Sequence, residues 1–141
     1  MDRVHRFLIL AAIATLGGCA FWQPDWTIPA PRRPASDLAA LVARAEELSG
    51  RAGDRADLEE AMDAWRVVLS ADSSHYAALT QLGNQQILFG AAHARTASEQ
   101  QAAYREAMTL TARAMATNPG FRSQVEGGTP LWNAVDQLGP A

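Results

Sequence analysis

From Ser36 onward, apolar residues recur at spacings of three and four, with little glycine inside the segments and no run of β-branched residues. That periodicity commits the region to amphipathic helices, because a strand would need alternation with a period of two. Four substantial helices are expected. The first spans 37–51, capped by Ser36, and Gly53-Asp54 separates it from the second at 55–71. The third covers 75–89, starting after Ser73-Ser74 and stopping at Gly90. The fourth covers 97–117, where Thr96 and Glu99 form a capping box that satisfies two amide protons. Asn118-Pro119-Gly120 ends it, and a short fifth helix is expected to begin at Pro130 with Thr129 as its cap. The predicted fold class is all-α, built of helical hairpins.

An internal repeat narrows the hairpins further. Ala61, Trp65 and Val68 are spaced by four and three, as are Ala107, Thr111 and Ala114, with Pro119 five residues on. This pattern resembles the second helix of a tetratricopeptide repeat. In that register, a period of about 34 places the Leu-Gly pair of the next first helix at Leu82-Gly83, where those residues stand. Other positions depart from it: Ser73 replaces the terminal proline, Ala45 and Leu79 take the bulky first-helix position, and Thr111 takes an aromatic one. An insertion of about twelve residues near 91–102 also exceeds the repeat. A generic bundle of helical hairpins is the competing reading. Trp65 is expected to be buried where the first two hairpins meet.

The first residues are of another kind. Arg3 and Arg6 precede the apolar stretch 7–16, the layout of an export signal. About ten residues span only roughly 15 Å as a helix, too short to cross a bilayer. The stretch ends in Leu16-Gly17-Gly18-Cys19, which resembles the bacterial lipobox. That resemblance implies removal of residues 1–18 and acylation of Cys19, the sole cysteine, anchoring the chain through two or more acyl chains such as palmitate. An ordinary secretory signal with a stray cysteine is the alternative. Ala20 rather than aspartate follows the cysteine, which favours the outer membrane facing the periplasm over another envelope membrane.

Residues 19–35 then form a lipid-attached tether, since Pro24, Pro29, Pro31 and Pro34 oppose regular structure. Trp22 and Trp26 suit either the membrane interface or the folded domain, which occupies 36–141. Removing Arg3, Arg6 and Asp2 from totals of 12 basic and 15 acidic residues leaves 10 and 14, a mildly acidic mature chain. Nucleic acid is therefore not an expected partner.

Taken in order, the lipobox, Trp65, the stretch from Leu82-Gly83 to Leu88-Phe89-Gly90, the extended insertion and Asn118-Pro119 resemble the tetratricopeptide lipoproteins called the T component of TRAP transporters. The likeness spans about 38–138 and rests on scaffold positions, so it transfers no ligand residues. It implies a periplasm-facing accessory protein whose partner is a periplasmic solute-binding protein. Such proteins usually continue with further hairpins, so the end at Ala141 implies a shortened relative or a last helix covered by another chain.

Little in the sequence points to catalysis. His75 and His93 have no nucleophile or metal-ligand spacing around them, and Glu46-Glu47 and Glu59-Glu60 point in different directions around their helices. Gly127-Gly128 lacks phosphate-loop context. No cofactor, metal or enzymatic activity is expected. In the repeat register the concave surface presents Glu46, Thr80, Asn84 and Ile87, and the last three are the candidate ligand or partner contacts, with Gln85 and Gln86 extending a polar cluster. Tyr104, Met108 and Met115 share one stripe of the fourth helix and are expected in the core. Leu131, Trp132, Val135 and Leu138 form an apolar stripe expected to close the open end of that helix, with any uncovered surface driving self-association or partner binding. The functional expectation is a membrane-anchored binding or accessory lipoprotein. Its alternative is a repeat adaptor for secretin or outer-membrane assembly.

Overall fold

A computed structural model describes residues 37–138. The signal segment, Cys19, the tether and the Ser36 cap lie outside the described residues. Within them the chain is all helix with no strand. The elements are α1 (Leu38–Arg51), α2 (Arg55–Ala71), α3 (Tyr76–Leu88), a π turn (Phe89–His93), α4 (Ala97–Ala116), α5 (Pro119–Glu126) and α6 (Leu131–Ala134), the last running into a 3-10 turn at Val135–Leu138.

The helix starts follow local chemistry. Asp54 Oδ1 accepts the Asp57 amide at 3.0 Å to begin α2, and His75 Nδ1 accepts the Ala78 amide at 3.2 Å to begin α3. His75 is thus a half-buried helix cap, and the helix it caps begins one residue later than expected. At α4, Thr96 Oγ1 accepts the Glu99 amide at 3.1 Å. The Glu99 carboxylate reaches back to the amide of Arg95 at 2.6 Å, one residue earlier than a standard capping box.

Two expectations at the C-terminal end are corrected. Asn118-Pro119 does end α4, but it also starts α5: Asn118 Oδ1 accepts the Phe121 amide at 3.0 Å, and Pro119 occupies the first turn where its missing amide costs nothing. Thr129 does not cap α6, because Pro130 itself stands at the cap and the Thr129 hydroxyl donates to Gln124 Oε1 at 2.8 Å.

Two antiparallel pairs, α1 with α2 and α3 with α4, pack side by side through α2 and α3. The core at that junction holds Leu58, Trp65, Val68, Leu79, Leu82 and Leu110. Trp65 is 1% exposed, the packing role its spacing predicted. Ala45 and Leu79, both fully buried, fill the bulky repeat position with less volume than an aromatic ring would.

The inserted length is absorbed in three places: the π turn, the link at 94–96 and the first turns of α4. Arg55 braces that region. Its guanidinium lies 4.7 Å over the Phe89 ring, donates to the His93 carbonyl at 2.9 Å and pairs with Glu59 at 2.8 Å and Glu99 at 3.3 Å.

Beyond α4, the buried side chains are Phe121 on α5 and Ala134 on α6. The terminal stripe does not close the fold as expected. Leu131, Val135 and Leu138 are each more than one-third exposed and Trp132 is 74% exposed, because α6 and its 3-10 turn pack on α5 through Ala134.

Candidate functional site

The stripe expected to lie in the core of α4 faces outward. Tyr104 is 37% and Met108 48% exposed, and Met115 is half-buried. Helical spacing placed them on one face correctly, but the later helices leave that face open, with Leu131 alone of their residues reaching its lining. They form a trough of about 380 Å³ along α4. Its floor is Ala107, Thr111 and Ala112, small residues between larger ones. Ile87 of α3 and Leu131 of α6 complete its lining. Tyr104 to Met115 covers three turns, roughly 16 Å of helix. The Thr111 hydroxyl donates to the Ala107 carbonyl of its own helix at 2.9 Å, so the floor offers little polar recognition.

The neighbouring helix adds no charge. From Tyr76 to Ala92, through α3 and most of the π turn, there is no Asp, Glu, Lys, Arg or His. Ile87 and Leu88 are each 50% exposed. An exposed helix face of this length without charge is unusual on a solvated surface.

Of the three candidate contacts, Ile87 lines the trough, whereas Thr80 and Asn84 do not. The Thr80 hydroxyl bonds back to the carbonyls of Tyr76 at 3.1 Å and Ala77 at 3.0 Å, and Asn84 is exposed. Glu46 is exposed as well. The expected polar cluster divides for a geometric reason: consecutive helical residues point about 100° apart and cannot share a face. Gln85 turns inward, donating from Nε2 to Ser49 Oγ at 2.7 Å, and Gln86 is buried against α4, donating to Glu106 Oε2 at 2.7 Å.

A second depression, about 430 Å³, lies among α2, α3 and the start of α4 and is lined by Glu59, Asp63, Arg66, Gln86, Glu99 and Glu106, among others. Its charges are spoken for. Arg66 pairs with Asp63 at 2.7 Å and Glu106 at 3.2 Å. Glu99 is held below the ordinary carboxylate range, first by the Arg95 amide and then by the Arg55 guanidinium. The Arg55 guanidinium is raised in turn, chiefly by its hydrogen bond to Glu99 against the cost of desolvation. These pairs bind α2 to α4. The adjacent acidic pairs likewise have arginine partners: Glu47 meets Arg44 at 3.0 Å, Glu60 meets Arg44 at 3.5 Å, and Glu59 meets Arg55. Among the described residues no group of three His, Cys, Asp or Glu side chains is placed to hold a metal ion, and no helix is long and apolar enough to cross a membrane.

The trough was missed by sequence reasoning, although its residues were singled out. The signal available was the charge-free run through α3 next to a methionine stripe on α4. Comparisons with family models, with curated proteins and with solved structures returned no match.

Proposed function

We propose that this protein is a membrane-anchored, periplasm-facing accessory lipoprotein that acts by gripping another polypeptide, not by catalysis. The observation that carries the reading is the trough: an apolar, solvent-open channel three helical turns long, with small residues on its floor and flexible methionines along its side. Such a channel takes the apolar face of a helix, whose side chains at four- and three-residue spacings drop between the walls. Anchorage rests on Leu16-Gly17-Gly18-Cys19. Tetratricopeptide-like stacking is supported by Leu82-Gly83 and by Trp65 at the junction of the two hairpins. A role beside a TRAP-type solute-binding protein follows from the resemblance to T components, and a role in envelope assembly is the second possibility.

The test is a photo-crosslinking side chain in place of Ile87, activated in cells. We expect a crosslinked polypeptide in the membrane fraction, lost when Met108→Glu charges the trough. If no polypeptide is captured from this position, the trough is not a polypeptide-binding element and the reading fails. A captured solute-binding protein would place the chain with uptake, and a captured secretin or outer-membrane assembly component with the envelope.

A further inference from the structure

Resting on the trough as a helix-binding element, we infer that its occupant is the α6 segment of a second copy of this chain, exchanged reciprocally. The chain itself carries a segment of the required kind. Leu131, Val135 and Leu138 follow one another at four and three residues, the anchor spacing a helix presents to a groove. Beside them Trp132, 74% exposed, projects a large apolar surface that packs on nothing in its own protomer sufficient to cover it. The stripe spans two helical turns and the trough three, so the trough is long enough to receive it.

Donor and acceptor also adjoin. Leu131 is part of the lining of the trough in its own protomer, and the next residue, Trp132, stands outside it. Trp132 leaves the helix about 100° from Leu131, so a knob projects beside the rim of the cavity, and the two together make a self-complementary patch. Rotating a second copy by a half-turn puts each knob over the other's cavity, which is the arrangement of a closed two-fold pair. Of the ten large hydrophobic residues that stand exposed among the described residues, four line the trough and three more lie on the α6 stripe. Covering these seven in both copies would remove on the order of 1,000 Å² from water, about the least a specific interface needs. The trough lining carries no charge that would exclude a second copy of equal net charge.

The test uses the full chain carrying Cys19→Ser, which removes both acylation and disulfide formation as causes of association, in sedimentation velocity over a series reaching high micromolar concentration. We expect a reversible dimer. Trp132→Ala should weaken it at least about tenfold, as loss of a buried aromatic anchor does, and Met108→Glu should abolish it. Both side chains are largely exposed in the protomer, so melting temperature measured at a dilution where every chain is monomeric should not fall in either variant. An equimolar mixture of the two variants should recover part of the dimer, because the intact Trp132 of one meets the intact trough of the other. A chain monomeric throughout the series overturns the inference. So does a dimer indifferent to both substitutions, or one that the mixture does not restore. A monomeric chain whose residue-87 crosslinker still captures a different polypeptide overturns the exchange but leaves the trough's proposed role standing.

Discussion

Trp65 Nε1 donates to Ser49 Oγ at 2.9 Å, and the same hydroxyl accepts Gln85 Nε2 at 2.7 Å while donating to the Ala45 carbonyl at 2.7 Å. Three helices therefore converge on one oxygen. In the repeat register Ser49 stands where Leu82-Gly83 has its glycine, and it replaces simple close approach with hydrogen bonding.

Ser49→Ala should destabilise the domain by about 1 to 3 kcal/mol, since it strands two buried donors. Gln85 Oε1 is already buried without a hydrogen-bond partner, so Gln85→Leu should be nearly neutral in the wild type. In the Ser49→Ala background Gln85→Leu should recover part of the loss. Chemical denaturation of the four proteins gives the cycle, and strict additivity would show that the hydroxyl does not couple them.

Trp65→Ala should cost roughly 3 to 5 kcal/mol, a large part of a small domain's stability. An unchanged melting temperature would contradict its position at the junction of the hairpins.

The two buried helical glycines should respond oppositely to alanine. A Cβ at Gly90 would meet Tyr104 Cε1 at 2.6 Å, so Gly90→Ala must displace the ring and should cost about 1 to 3 kcal/mol, relieved by Tyr104→Ala. A Cβ at Gly83 would find its nearest neighbour, Thr111 Oγ1, at 3.5 Å, an ordinary contact. Gly83→Ala should then be neutral or stabilising by up to about 1 kcal/mol through backbone entropy. Thermal melts of the three variants decide both points.

Acid should loosen the start of α4 first. Glu99 is held below its ordinary value of 4.5, so it contributes stability that is fully present above that value and is lost as pH falls through the lower folded one. The protection factors of amides near 95–100, taken relative to intrinsic exchange at each pH, should fall with acidification below about pH 4.5 in the wild type. Glu99→Gln should show the lower protection already at neutral pH and lose the acid-dependent step. An equal acid response in both proteins would assign the loosening to other carboxylates.

The proposed membrane anchor is tested at Cys19. Cys19→Ser should abolish palmitate incorporation and release the chain from the membrane fraction, because the thiol is the group that acylation uses. A wild-type chain that takes up no label and fractionates as soluble would remove the lipoprotein from the proposed function.

The sequence made the hairpins legible because burial imposes a period, and Trp65 with Leu82 fell on the buried side of it. Periodicity reports which residues share a face but not whether another element covers that face. Tyr104, Met108 and Met115 therefore read as core while lying along an open trough. α5 was hidden by ambiguity: Asn118-Pro119 is at once a stop for one helix and a cap with a first-turn proline for the next. The same start signal at Thr129-Pro130 produced a different cap, because the proline itself takes that position. The split of Asn84 from Gln85 and Gln86 was implicit in helical geometry, yet composition made three neighbouring amides look like one cluster.

The π turn at Phe89–His93 bears on how this chain tolerates insertions and deletions. A π turn holds an extra residue relative to the α-helix around it. Deleting one residue there would let α3 run on as regular helix and rotate the side chains that remain before the link at 94–96 by about 100°. His93 would no longer present its carbonyl to Arg55, and Gln100 would lose the Gly90 carbonyl to which it donates at 3.0 Å. Length in this stretch is thereby fixed by local register, and the link at 127–130 is fixed in another way: the amides of Gly127, Gly128 and Thr129 donate to the carbonyls of Ser123, Val125 and Gln124, with Gly128 at a φ of 85° that favours glycine.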